Sequence, residues 1–224
     1  MAENKPIALI VGLGNPGDNY RDTRHNVGFH FVDRLAELKG ARFTSEGKFF
    51  GEVARISTPS GDIRLLKPTT FMNLSGSSVQ AVAAYYKITP EEILVVHDEL
   101  DLVPGTMKMK IGGGNAGHNG LKDITAKLST PNFWRLRIGI GHPRQFCPQQ
   151  QVYDWVLGVP SPEHQEGIDK CIDAALKTVD NLAAGKFESV GRTMNKWGGA
   201  LPKPKKETKP QETPQKTDSE TTEQ

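Results

Sequence analysis

The sequence predicts an α/β fold: a single-domain three-layer sandwich with a twisted, mixed and largely parallel sheet flanked by helices. Three observations carry that expectation. Continuous apolar runs bounded by turn residues, Ile-Ala-Leu-Ile-Val at 7–11 and Ile-Leu-Val-Val at 93–96, read as strands buried on both faces, the pattern of a parallel sheet. Segments with helical apolar spacing alternate with such strands. The length, 224 residues, suffices for one substantial core rather than two.

In chain order, the first strand stops at Gly12. Val27, Phe31, Val32, Leu35 and Leu38 then share one helical face, with Thr23 the candidate N-cap and Gly40 a stop. Residues 49–57 and 63–66 flank Pro-Ser-Gly-Asp, a turn signal that makes them a hairpin, and a helix follows over about 75–87. The second buried strand comes next. Two further strands, 106–111 and 134–140, are separated by a glycine-rich loop and a helix over about 121–128, and residues 163–196 read as mostly helical. From Pro202 onward the chain has five basic and five acidic residues and no large apolar side chain. One folded domain over 1–200 and a disordered tail over 201–224 are therefore expected.

Composition excludes several classes. With 36% hydrophobic residues and no apolar run near the roughly 20 residues that cross a bilayer, an integral membrane protein is not expected. The opening Met-Ala-Glu-Asn-Lys-Pro lacks the residue pattern of a secretory or organellar leader, so none is expected. Two cysteines, Cys147 and Cys171, are too few for a disulfide framework and lack zinc-site spacing, which fits the reducing cytoplasm. The net charge of +2 is unevenly spread: residues 104–145 hold seven Lys or Arg against one acid, Asp123. That excess suggests RNA or phosphate as a partner, a solvated basic face being the plainer alternative.

Gly12-Leu-Gly14-Asn-Pro-Gly17 matches the dinucleotide fingerprint after a strand. Yet Pro16 and the residues after it delay the helix to about 23, and Asp33 and Glu37 fall inside that helix instead of at a strand end, so a dinucleotide site is rejected. The loop instead leaves the carboxyl edge of the sheet, where α/β proteins place their sites, and presents Asn15, Tyr20 and His25 there. His97-Asp98-Glu99-Leu-Asp101 ends the second buried strand on the same edge. A carboxylate accepting from an imidazole Nδ1–H leaves Nε2 free to take a proton, so His25 is the candidate base and Asp98 its orienter. A helix start would lower the His25 pKa and Asp98 would raise it.

A metal on His97, Asp98, Glu99 and Asp101 is the rival reading. Neighbouring strand residues point to opposite faces and no second histidine cluster completes a shell, so no metal or other cofactor is expected. Asn73, in Lys-Pro-Thr-Thr-Phe-Met-Asn-Leu-Ser-Gly, is either a helix cap or a site amide. No Gly-x-Ser-x-Gly elbow is present and neither cysteine has an activating partner, which argues against covalent catalysis. The glycine-rich stretch 112–120 lacks the Gly-Lys-Ser/Thr ending of a nucleotide cradle and reads as a mobile flap. Lys108 and Lys110 share one strand face, with Met107 and Met109 on the other; Arg135 and Arg137 repeat the pattern against Leu136 and Ile138. Four cations on solvent faces would suit phosphates.

Together, Val-Gly-Leu-Gly-Asn-Pro-Gly, Thr-Arg-His-Asn, Lys-Pro-Thr-Thr-Phe-Met-Asn-Leu-Ser-Gly, His-Asp-Glu-Leu-Asp, Gly-His-Asn-Gly-Leu-Lys-Asp and Arg-Leu-Arg-Ile-Gly-Ile-Gly-His-Pro resemble the bacterial-type peptidyl-tRNA hydrolases across roughly residues 7–195. The resemblance implies a monomeric, metal-independent enzyme. Such an enzyme cuts the ester between peptide and the 3′-terminal ribose of tRNA, recycling tRNA from stalled or prematurely terminated translation. It implies His25 as base and Asp98 as orienter, with Asn15, Asn73 and Asn119 positioning peptide, water or oxyanion. Tyr20, Phe71 and Met72 would line the peptide cleft, and Lys108, Lys110, Arg135 and Arg137 would contact tRNA. His118 and His142 also match the family pattern, without an assigned role. Asn115-Ala116 departs from the family's usual His-Gly or Gly-Gly, which bears on flap flexibility. A non-catalytic RNA or protein adaptor on the same scaffold is the competing reading; intact His25, Asp98 and Asn73 argue against it.

Overall fold

A computed structural model describes residues 5–198; the expected disordered tail lies outside them. The chain opens with β1 (Leu9–Gly12), α1 (Val27–Leu38), β2 (Thr44–Glu46), β3 (Gly51–Thr58) and β4 (Gly61–Pro68). It continues through α2 (Ser75–Tyr86), β5 (Ile93–Glu99), β6 (Met107–Ile111), α3 (Asn119–Leu128) and β7 (Trp134–Gly139). Five helices follow: α4 (Pro143–Phe146), α5 (Val152–Val156), α6 (Pro162–Leu176), α7 (Val179–Ala183) and α8 (Phe187–Lys196). The seven strands form one sheet in the order β2-β3-β4-β1-β5-β7-β6. Its centre, β4-β1-β5-β7, is parallel, while β2, β3 and β6 pair antiparallel at the two sides. This is the mixed, largely parallel α/β sandwich that the apolar runs predicted.

The continuous apolar runs follow from helices covering both faces of the sheet. Leu9, Val11 and Val95 pack with Val79 and Val82 of α2 and Leu121 and Ile124 of α3. Ile10, Leu94 and Val96 point the other way, onto Phe31 and Leu35 of α1 and Ile168 and Ile172 of α6. Alternate residues on one strand thus meet different helices, and no polar position is left between them.

Two glycines set the distance between α1 and the sheet. A Cβ on Gly28 would lie 2.3 Å from both Leu13 N and Val96 O, and one on Gly12 would lie 2.2 Å from Gly28 O. Only the absence of both side chains allows the start of α1 to rest on the carboxyl ends of β1 and β5. His25, three residues before Gly28, is thereby brought over that edge.

Several boundaries differ from expectation. Thr23 does not cap α1; its hydroxyl donates to Tyr20 O, and a 3-10 turn (Arg24–Asn26) precedes the helix. Leu38 closes α1 with 63% exposure because the last turn overhangs the core. The helical stretch 163–196 is broken into α6, α7 and α8, and α4 and α5 lie in a segment that gave no periodic signal. No described helix is long and apolar enough to cross a membrane.

Candidate active site

The loop after β1 is locked by paired asparagines. Asn26 accepts from Asn15 N through Oδ1 at 2.8 Å and donates to Asn15 O through Nδ2 at 3.0 Å. The Asn15 side chain is buried, and its Oδ1 accepts from Met72 N at 2.8 Å. With the oxygen so engaged, Nδ2 is the donor this amide offers to the cleft it lines.

At the end of β5, Asp98 receives two imidazoles on one oxygen. His25 Nδ1 lies 2.8 Å and His118 Nε2 3.0 Å from Asp98 Oδ1. His118 Nδ1 accepts from Leu121 N at 3.4 Å, capping α3, so its Nε2 bears the proton given to Asp98. His25 in turn donates from Nδ1. Its Nε2 is left as the basic nitrogen, with no hydrogen-bond partner among the described residues.

The electrostatics hold Asp98 as a carboxylate facing the imidazoles. Burial pushes the Asp98 carboxyl up, but the facing imidazoles of His25 and His118 outweigh it and hold Asp98 well below the usual carboxylate range. Burial pulls the His25 imidazole down, and the Asp98 charge and hydrogen bond more than reverse that, leaving its pKa above the ordinary value. His97, fully buried behind them, is driven down to about 3 by burial and by His118. It stays neutral, with Nδ1 on the Asp98 carbonyl oxygen at 2.7 Å and Nε2 unpartnered.

Nearby atoms of His25, Asp98 and His118 lie within 4.8 Å of one another, spacing that would also suit a cation. Sequence reasoning weighed only residues 97–101 for a metal and missed this set, because three separate elements supply it. Both imidazole–carboxylate distances are those of hydrogen bonds and His118 is engaged on both nitrogens, so the cluster is satisfied with protons as its bridges.

A cleft of about 480 Å³ opens over the pair. One wall holds Tyr20 and Phe71, edge to face at 6.4 Å between ring centroids, with Met72 beneath them and Asn73 beside them. Asn73 is exposed and caps nothing: Leu74 occupies the position before α2, without a side-chain cap. The site-amide alternative therefore fits its placement. Asn119, the exposed first residue of α3, and Asn115 form the opposite rim. The remaining wall, Val152, Tyr153, Val156 and Leu157, comes from α5 and its end and was missed. The apolar run Trp-Val-Leu beside Val-Tyr was the available signal.

Arg24 was missed as well. It is buried beside His25, with its guanidinium 3.7 Å above the Trp155 ring and Nη1 donating to Trp155 O at 3.1 Å, so it ties the His25 turn to α5. His142 lies outside the cleft and caps α4 by accepting from Arg144 N at 3.2 Å.

The basic residues divide. Lys108 is exposed and Lys110 partly so, on the face opposite Met107 and Met109. Arg137 pairs with Glu99 at 2.8 Å and keeps part of its side chain in solvent. Arg135 corrects the expectation of a solvent-facing cation: it is 1% exposed. Its strand is interior to the sheet, and the glycine-rich loop folds over that face and takes both guanidinium ends, Nη1 to Gly114 O at 2.7 Å and Nη2 to Gly113 O at 3.0 Å.

An imidazole fixed by a carboxylate, ringed by side-chain amides and opening on a half-apolar cleft, has the parts to direct water at a carbonyl; this is the kind of site a hydrolase uses. The model of the peptidyl-tRNA hydrolase family matches residues 9–206. A peptidyl-tRNA hydrolase of Neisseria meningitidis serogroup A is 55% identical over 189 residues, 84% of this chain and 97% of that protein. One from Bordetella parapertussis is 54% identical over 195 residues, 87% of this chain and 91% of that protein. The crystal structure of peptidyl-tRNA hydrolase from Acinetobacter baumannii superposes with a TM-score of 0.81 at 45% identity, covering 88% of this chain and 98% of that one. The chain belongs to the peptidyl-tRNA hydrolase family.

Proposed function

We propose that this enzyme hydrolyses the ester joining a peptide to the terminal ribose of tRNA by general-base activation of water at His25. Family membership supports the reaction and substrate class. The observation that supports the residue roles is the 2.8 Å contact between His25 Nδ1 and Asp98 Oδ1, which turns Nε2 away from the carboxylate as the nitrogen able to take a proton.

Water attacks the ester carbonyl carbon as His25 Nε2 takes its proton. The imidazolium so formed sits against the Asp98 carboxylate. Amide donors of Asn15, Asn73 or Asn119 meet the oxyanion, an interaction of the kind that typically lowers a barrier by about 2.7–4 kcal/mol. Collapse of the tetrahedral species expels the ribose oxygen, which recovers the proton from His25 and yields free tRNA and a peptide acid. Tyr20, Phe71 and Met72 hold the peptide portion. Lys108, Lys110 and Arg137 lie on one face of β6 and β7, where the tRNA phosphates would meet them.

The working unit we propose is a monomer, and a tRNA-borne substrate fits work alongside translation in the cytoplasm. The test is release of peptide from peptidyl-tRNA by wild type and His25→Ala. A loss of several orders of magnitude is expected, and near-normal turnover by the variant would refute the mechanism.

A further inference from the structure

We infer that Arg135 is a positioning residue: it holds the glycine-rich loop that forms one rim of the cleft and does not contact tRNA phosphate. The inference rests on the reading of the cleft given above. Arg135 leaves β7 at a point where the strand is interior, paired with β5 on one side and β6 on the other. Its side chain is sealed under the loop, 1% exposed, with the guanidinium 4.7 Å from the Phe133 ring centroid. Both terminal nitrogens are spent on the Gly113 and Gly114 carbonyls, and no carboxylate pairs with it among the described residues. A cation so enclosed lacks the exposure to meet a phosphate, and its one unpartnered nitrogen, Nε, is itself buried.

The loop needs such an anchor. Gly112, Gly113, Ala116 and Gly117 all have positive φ, so its backbone groups do not satisfy one another as a helix or strand would. Its feet are fixed by Gly112 N on Phe133 O at one end and by Thr125 Oγ1 on Asn115 Oδ1 at the other. Between them, the Arg135 fork is the side-chain hold on the backbone. Directly downstream stand Asn115, His118 and Asn119, and His118 must arrive with Nε2 toward Asp98. A planar guanidinium offers two nitrogens at a fixed spacing to two adjacent carbonyls, whereas lysine brings one nitrogen on a flexible stem.

The test compares Arg135→Lys and Arg135→Gln with wild type in three readouts: kcat, the slope of log KM against log salt, and amide exchange at Gly112 and His118 relative to β1 and β5. We expect kcat to fall at least tenfold in both variants, the salt slope to stay as in wild type, and exchange at Gly112 and His118 to accelerate tenfold or more while the strands remain protected. In the same assay Lys108→Gln should lower the slope by about one. A slope lowered by about one in Arg135→Gln, with loop exchange unchanged in both variants, would return Arg135 to the phosphate-contacting set. Exchange that rises equally in β1 and β5 would show general unfolding and would also overturn the inference. The exchange readout does not depend on hydrolysis, so it separates failure of this assignment from failure of the proposed mechanism.

Discussion

Replacing Asp98 with Asn tests how the carboxylate serves His25, and the two contacts on one oxygen fix the expected size of the effect. In wild type, Asp98 Oδ1 accepts from His25 at 2.8 Å and from His118 at 3.0 Å. An asparagine with its amide oxygen in that place satisfies both donors and preserves both tautomers. With its NH2 group there, it would force both rings to change tautomer and His118 to give up Leu121 N. The first orientation therefore wins, and what disappears is the negative charge opposite the imidazolium of the transition state. A hydrogen bond to a charged group contributes about 1.5–3 kcal/mol against about 0.5–1.5 for a neutral one, and partial burial enlarges the gap. A loss of about 1.5–3 kcal/mol corresponds to a roughly 10- to 150-fold fall in kcat.

The pH dependence of the same variant has a definite sign. His25 is raised by Asp98 and lowered by burial; removing the first leaves the second, so the pKa falls. The acidic limb of kcat/KM, where His25 loses its proton to become the base, should move to lower pH. The assay is single-turnover peptide release across about pH 5 to 9. A kcat within twofold of wild type with an unmoved limb would refute the argument. A fall of about 10⁴ would instead mark an inverted tautomer, and with it the wrong amide orientation.

Two further outcomes concern stability. Gly28→Ala places a methyl 2.3 Å from the backbone of Leu13, just past β1, and of Val96 in β5, atoms that cannot rotate away; it should cost about 3 kcal/mol or more in urea unfolding, and a cost below about 0.5 kcal/mol would contradict the close packing. His97 is held neutral, with a folded value of about 3 against an ordinary 6.5. Between those values the unfolded chain binds a proton that the folded chain refuses, so this residue removes stability as pH falls below about 6.5, by up to about 1.4 kcal/mol per unit. His25, with its raised pKa, acts in the opposite sense. The difference in slope between wild type and His97→Gln therefore isolates His97, and equal slopes would refute its buried neutral state.

The sequence made the strands legible because a strand covered on both faces has no room for polar residues, and the runs at 7–11 and 93–96 show this without interruption. Their ends place Asn15, His25 and Asp98 on one edge, and once β1 and β5 are neighbours a loop and a strand end must converge there. Contributions perpendicular to the chain were not legible. Alternation along β7 separates Arg135 and Arg137 from Leu136, but says nothing of what covers the arginine face; the glycine-rich loop buries one arginine and leaves the next partly in solvent. Helix α5 is too short to impose a period, yet it supplies a cleft wall and its Trp155 takes the Arg24 guanidinium. Both Arg24 and Arg135 are buried cations that hold carbonyl oxygens in place of carboxylates. In a sequence each looks like a candidate for nucleic acid. What distinguishes them is the backbone they hold: one fixes the turn that carries His25, the other the loop that delivers His118 to Asp98.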